Sequence, residues 1–288
     1  MNVQPATSSD AVPQQIATSN HDVAQIMGGL YGPGIIGLKG AFDRDWAQRL
    51  REDVDLLFDE ARAIPGGAVP RGPQRWYVEI HPQRLRGFVD LATHAWIVAV
   101  SEAVLGPQWR IVEVGFDVPG PGAMDQPWHR DFPSPEATRI GRRLDSLAFN
   151  LTLVDVEPDM GPFEIAPGTQ WEAGEDFVDG MFPPEHHWPR YVERAERKLP
   201  RMGDISARSA LTVHRGTANH STRARPVLVL GVDAPDACNA ARHDLQLTHD
   251  YARTLPPSVL DHLACRLVDR LEPIIQLHQI EGLRMGRT

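Results

Sequence analysis

The sequence predicts an α+β protein in which helices come first and a body of short antiparallel strands follows. Three observations carry that prediction. Apolar residues recur at helical spacing twice within the first 105 residues. From Trp109 onward the pattern changes to short β-rich runs separated by turns containing Pro and Gly. No helical pattern intervenes between these runs, which favours a sandwich or barrel over a parallel βαβ sheet.

Taken in order, residues 1–22 are polar and rich in Ser, Thr, Gln and Ala, without the basic and apolar regions of a signal peptide. They are expected to form a mobile tail, with 23–288 as a single domain. Residues 34–40 predict a short strand ending in a turn. Asp43 then suits an N-cap, and Trp46, Leu50, Val54, Leu57, Phe58 and Ala61 follow at helical spacing. A loop over 64–75 leads into Trp76, Tyr77, Val78 and Ile80. A second helix is predicted over 88–105, stopped by Gly106. Strands are predicted over 109–118, 146–156, 163–166, 204–207, 210–214 and 227–233. Residues 171–200 form an excursion long enough to suggest a lid over a site. A last helix is predicted over 257–271, with Leu260, Leu263, Leu267, Val268 and Leu271 on one face, before Pro273 interrupts it.

The chain has 288 residues, 42% hydrophobic and 23% charged, as in a globular protein with a substantial core. A net charge of −9 argues against a nucleic-acid partner, since phosphate neutralisation needs clustered cations. Lys39 and Lys198 are the only lysines. Two cysteines, Cys238 and Cys265, suggest neither a disulfide framework nor a thiolate metal site. No apolar run approaches membrane-spanning length, and a soluble cytoplasmic protein is the expectation. The composition says nothing about oligomeric state.

The chemistry is concentrated in Gln126-Pro127-Trp128-His129-Arg130-Asp131-Phe132. A His and an Asp two residues apart present their side chains on one face of a strand or bend. That arrangement suits the first two ligands of a 2-His-1-carboxylate metal site. His-Arg-Asp also opens the protein-kinase catalytic loop, but there an Asn stands five residues after the Asp. Here that residue is Glu136, and neither a Gly-rich loop nor Asp-Phe-Gly is present. The best third ligand is His214, ahead of His220 and of His186 or His187 in the excursion. Arg225 enters an apolar run eleven residues later. An Arg so placed suits bidentate pairing with a buried carboxylate, with Arg223 as its competitor.

With these residues in place, the chain resembles the phytanoyl-CoA dioxygenase family of Fe(II)/2-oxoglutarate oxygenases. The resemblance runs from Gly34-Ile-Ile-Gly-Leu-Lys-Gly through His129/Asp131, Gly161, Pro167-Gly168-Thr169-Gln170, His214 and Asn219-His220-Ser221 to Arg225, over roughly 28–235. Two departures stand out. The family often has His-Gly-Ser at the distal ligand where this chain has His214-Arg215-Gly216, and Gln170 stands where the family has His.

The resemblance implies a double-stranded β-helix (jelly-roll, cupin-like) core flanked by N- and C-terminal helices. It implies Fe(II) held by His129, Asp131 and His214, these three also being the catalytic centre, and 2-oxoglutarate paired with Arg225. Gln126, Asn150, Thr152, Thr217 and Ser221 are further candidates for the co-substrate pocket. Trp76, Tyr77, Phe132 and Trp188 are candidates for substrate contact. Dioxygen would be consumed and succinate and CO2 released, with hydroxylation of a small organic molecule such as a natural-product intermediate. Halogenating relatives carry a small residue where Asp131 stands, so its carboxylate favours oxygenation. An acyl-CoA substrate lacks an evident cation cluster for its phosphates. The same centre could instead desaturate, epoxidise or rearrange its substrate. A non-catalytic cupin-like metal module is the alternative of another class, and the register of Arg225 speaks against it.

Overall fold

The computed structural model describes residues 21–237 and 239–275, so the polar segment 1–20 and the chain beyond 275 lie outside the described residues. In chain order the elements are α1 (Val23–Tyr31), β1 (Ile35–Leu38), α2 (Arg44–Arg62), β2 (Val69–Pro70), β3 (Arg75–Glu79), α3 (Phe88–Ala92), α4 (Ala95–Leu105) and β4 (Arg110–Pro119). Next come α5 (Glu136–Arg139), β5 (Ser146–Thr152), β6 (Phe163–Ile165), α6 (Trp188–Arg194), β7 (Glu196–Lys198), β8 (Ile205–Ser209), β9 (His214–Gly216) and β10 (Val227–Asp233). The described chain closes with β11 (Gln246–Thr248), α7 (His249–Ala252), α8 (Pro257–Leu260) and β12 (Arg266–Val268).

Seven strands form one antiparallel sheet in the order β1-β8-β5-β10-β4-β3-β2. A second antiparallel sheet has the order β7-β6-β9. Strand alternation explains how the large sheet serves two purposes. On β10, Leu228, Leu230 and Val232 join the main core, while Val227, Val229, Gly231 and Asp233 line a cavity. On β5, Leu147, Phe149 and Leu151 face the core; Ser146, Ala148, Asn150 and Thr152 face the cavity. Helices α2 and α4 cover the core side with Trp46, Leu50, Val54 and Leu57, and with Trp96, Ile97 and Val100. Each such side chain contributes roughly 1.5–3 kcal/mol by leaving water. No helix among the described residues is long and apolar enough to cross a membrane.

Three expectations need correction. The helix predicted over 88–105 is broken at Thr93, where His94 turns extended and its Nδ1 accepts from the Trp96 N–H (3.3 Å); Gly106, at φ +85°, does stop it. Residues 210–213 are a turn, and the strand begins only at His214, because the chain must pass here from the large sheet to the small one. The Val213 N–H is taken by Thr169 Oγ1 (2.8 Å). The last predicted helix ends at Leu260. The chain then folds back on β4, where Ile111 bridges Leu263, and its leucines continue into β12, parallel to β11.

The 171–200 excursion is anchored rather than open. Its Phe177 and Tyr191 pack on the fully buried Trp128, and β7 returns to pair with β6. Arg130, the middle residue of His-Arg-Asp, points into it and donates to the carbonyls of Gly180 (2.9 Å), Glu172 (3.1 Å) and Ala173 (3.3 Å).

Candidate active site

The metal-ligand candidates come together through backbone pairing. The His129 N–H donates to the His214 carbonyl (2.9 Å) and the His214 N–H to that of His129 (2.8 Å), which brings the ring centroids to 4.4 Å. The Asp131 N–H donates to the Ala210 carbonyl (2.9 Å) and fixes the third member. One ligand atom from each of His129, Asp131 and His214 lies within 4.8 Å of the others. Each imidazole Nδ1 sits 2.8 Å from a carbonyl, that of Pro127 for His129 and that of Thr212 for His214. A carbonyl only accepts, so the proton is on Nδ1 and the Nε2 lone pair is free for a metal.

Electrostatics agrees with that role. Burial lowers the His129 pKa to about 4. Burial and the Arg208 charge hold His214 well below the ordinary histidine range. Both rings are therefore neutral at pH 7, the form that can ligate a metal. Burial alone would raise the Asp131 pKa, but the Arg208 guanidinium, 2.6 and 3.3 Å from its two oxygens, and the neighbouring His214 hold it at about 2. Two neutral imidazoles and a carboxylate are the donor set of a non-haem iron centre with open positions.

The triad opens on a cavity of about 1020 Å³ between the two sheets. Arg225, 6% exposed, also lines it. Among the described residues its guanidinium makes no hydrogen bond or ion pair, and its Nε is buried without a partner. Burial and the nearby Arg75 charge bring its pKa to about 10, still cationic at neutral pH. Asn150 lines the same cavity with Oδ1 unpartnered, and Thr152 and Gln126 stand with it. Gln126 Oε1 accepts from the Gly216 N–H (3.0 Å). A Cβ at Gly216 would collide with the Arg75 guanidinium, which there holds Asp117 (3.0 Å) and the Thr217 carbonyl (3.0 Å). The unmet buried guanidinium of Arg225 beside a triad fits a chelating dicarboxylate, which Arg225 would hold together with the donor groups of Asn150, Thr152 and Gln126.

Other candidates fall elsewhere. The Thr217 hydroxyl donates to the Pro162 carbonyl (2.7 Å) and that of Ser221 to Asn219 Oδ1 (2.7 Å); neither residue lines the cavity. Tyr77 and Phe132 do line it. Trp76 faces the other way, its ring 5.7 Å from that of Phe58 with Arg62 5.2 Å away. Trp188 donates to the Pro183 carbonyl (3.0 Å) and packs on the Trp128 cluster. His220 and Arg223 lie outside the cavity lining, and His186 and His187 gather with Asp176 at the surface. Reading the sequence missed Arg71, Arg75 and Arg208, all buried and all lining the cavity. Arg208 had a weak signal, a charge on the face of β8 that alternation assigns to Ser206; Arg71, in a Pro- and Gly-rich loop, had none.

The fold, the triad and the unpaired Arg225 together define the class, a non-haem iron, 2-oxoglutarate-dependent oxygenase. The family model described as phytanoyl-CoA dioxygenase matches residues 32–227, and the chain belongs to that family. Among solved structures the chain is similar to the non-haem α-ketoglutarate-dependent carbocyclase SnoK from nogalamycin biosynthesis. That match has 19% identity and a TM-score of 0.60, over 83% of this chain and 94% of that one. It is similar also to the epimerase SnoN, in complex with Fe3+, α-ketoglutarate and nogalamycin RO (20%, TM-score 0.56, 73% and 83%). A third is EctD from S. alaskensis with 2-oxoglutarate and 5-hydroxyectoine (17%, TM-score 0.60, 77% and 79%). At these identities the likeness is one of fold. No curated protein matches the sequence.

Proposed function

We propose that this chain hydroxylates a small, largely apolar organic molecule, such as a natural-product intermediate, converting 2-oxoglutarate and dioxygen to succinate and CO2. In this reading the two sheets are the halves of a double-stranded β-helix within one domain spanning 23–288. The enzyme works in the cytoplasm without nucleic-acid or membrane partners. The observation that carries the reading is Arg225, a buried guanidinium without a partner opening on the cavity of the triad.

Each residue then has a task. His129, Asp131 and His214 would hold Fe(II), and Arg208 fixes the Asp131 carboxylate, closer to Oδ2 (2.6 Å) than to Oδ1 (3.3 Å), the oxygen that lies 3.5 Å from His214 Nε2. Bound iron and 2-oxoglutarate would supply oxidative decarboxylation and oxygen activation. Arg225 anchors the distal carboxylate of the co-substrate, while Asn150, Thr152 and Gln126 orient the chelating end. The anchored 171–200 segment walls the cavity with Asp179, Met181 and Leu199 and limits water entry. The Asp131 carboxylate occupies the position that a halide would need. A second reading is favoured by two of the structural matches, which are named a carbocyclase and an epimerase: the same centre directing ring formation or inversion.

Succinate formation with Fe(II) and 2-oxoglutarate, in native protein and His129→Ala, tests the proposal. Iron-dependent succinate release that the variant lacks is expected. Native protein that binds no 2-oxoglutarate in the presence of Fe(II) overturns it and leaves a non-catalytic metal module.

A further inference from the structure

A second buried cation faces the same cavity, and nothing in the chemistry above uses it. Arg71 lies in the turn between β2 and β3, where its N–H donates to the Arg75 carbonyl (2.9 Å). It is 7% exposed, and its Nη1 is buried without a partner. Among the described residues its guanidinium makes no hydrogen bond or ion pair; it lies against the Tyr77 ring, 5.2 Å from the centroid. The neighbouring carboxylates are already engaged. Glu113 takes the Tyr77 hydroxyl, Asp117 takes Arg75 (3.0 Å), and Asp131 takes Arg208 (2.6 Å).

Pairing sharpens the point. Arg75 and Arg208 have carboxylate partners, Arg130 has three carbonyls, and the distal carboxylate of the co-substrate would take Arg225. The Arg71 guanidinium is buried among the described residues with neither a carboxylate nor a carbonyl on it, which a binding pocket retains at a cost unless a ligand answers it. The Asp117 carboxylate acts on both Arg71 and Arg225, and the Arg71 charge reaches on to His129 and Asp131. Elsewhere the cavity wall includes the apolar side chains of Val229, Phe132, Phe163 and Ile36.

We propose that Arg71 is an anion subsite beside the metal centre, selecting a substrate that carries a carboxylate on an otherwise apolar body. The inference deepens the oxygenase reading and rests on it for the word substrate. The carboxylate could also come from the metal-chelating end of 2-oxoglutarate, so the test separates the two sources.

The probes are 2-naphthoate and its uncharged isostere 2-naphthamide, titrated calorimetrically into metal-free native protein, Arg71→Gln, Arg71→Lys and Arg225→Gln. Charge-assisted pairing predicts that native protein and Arg225→Gln bind the acid about tenfold or more tightly than the amide. Arg71→Gln should bind the two alike, and Arg71→Lys should keep part of the preference. In a parallel titration with Mn(II), 2-oxoglutarate affinity should stay within about twofold in Arg71→Gln but fall about a hundredfold in Arg225→Gln. The proposal is overturned by native protein without charge preference, by a preference that survives Arg71→Gln, or by an Arg71→Gln that loses 2-oxoglutarate affinity instead. Should Arg71→Gln fail to fold, an undiminished preference in Arg71→Lys has the same force. Native protein that binds no 2-oxoglutarate, while naphthoate still follows Arg71, ends the oxygenase reading and leaves the anion subsite standing.

Discussion

Strand β10 runs the length of the cavity, and its two ends are built on opposite principles. Arg225 stands just before it and Asp233 closes it. The six steps from Val227 to Asp233 span about 20 Å. At the Arg225 end a buried charge has no internal partner, and Asn150 keeps a free oxygen nearby. At the Asp233 end the charges are satisfied from within: Asp233 accepts from the Ser146 hydroxyl (2.6 Å) and the Asn239 N–H (3.3 Å), and Glu79 pairs with His243 (3.3 Å). Both ends face the same cavity, so burial alone does not separate structure from function. An unpaired charge does. The first end holds a guanidinium with no counter-charge until a ligand arrives, whereas at the second the unmet His243 Nδ1 still lies 3.3 Å from the Glu79 carboxylate.

The largest effect should come from removing the unpaired charge. Arg225→Gln should weaken 2-oxoglutarate binding by about a hundredfold, the loss of a bidentate charge-assisted pair worth roughly 2–3 kcal/mol. The same variant should melt no lower than native protein without ligand, because an unpaired buried charge has gone. A fall in Tm on the scale of a core mutation would mean that Arg225 has a structural partner after all.

At the Asp233 end an effect of similar size depends on pH. Burial raises the Asp233 pKa to about 6 from an ordinary 3.8. The folded state therefore binds this proton more tightly than the unfolded state. Its contribution is fully present below about pH 3.8, is lost as pH rises to about 6, and is constant above that. Asp233→Asn should remove this dependence. The variant should gain on native protein, by up to about 3 kcal/mol, between pH 4 and 6 in chemical denaturation. A difference between the two that does not change with pH would show that Asp233 does not titrate in this range. With a smaller effect, Arg130→Ala should speed proteolysis within residues 172–180 while shifting metal affinity only a few-fold. Cleavage at the native rate would show that the Trp128 cluster alone anchors the segment.

How much of this was legible beforehand follows from where each signal resides. His129, Asp131, His214 and Arg225 could be read because they hold fixed places along one chain. Arg71, Arg75 and Arg208 could not, since they become site residues only when strands far apart in sequence align. Alternation placed Trp76 and Tyr77 on opposite faces without saying which face met the core; the pairing of β3 with β4 decides it. The spacing of Leu260, Leu263 and Leu267 suits a helix or a chain folding back equally well. The backbone bridge from Leu263 to Ile111 selects the second. The departure at Gln170 changes more than a turn, because its amide donates to the carbonyls of Leu30 (3.2 Å) and Gly32 (2.9 Å) at the end of α1.

That last contact has a neighbour. Thr169 donates to the Ala166 carbonyl (2.7 Å) and accepts from the Val213 N–H, one residue before the proposed ligand His214. One short segment thus holds the end of the first helix with one side chain and the approach to the metal with the next. Helix fraying and release of a metal ligand become coupled parts of one local opening. With iron at the proposed site, occupancy and the docking of the N-terminal helix would rise and fall together, and loading the metal should slow hydrogen exchange in a helix that never touches it.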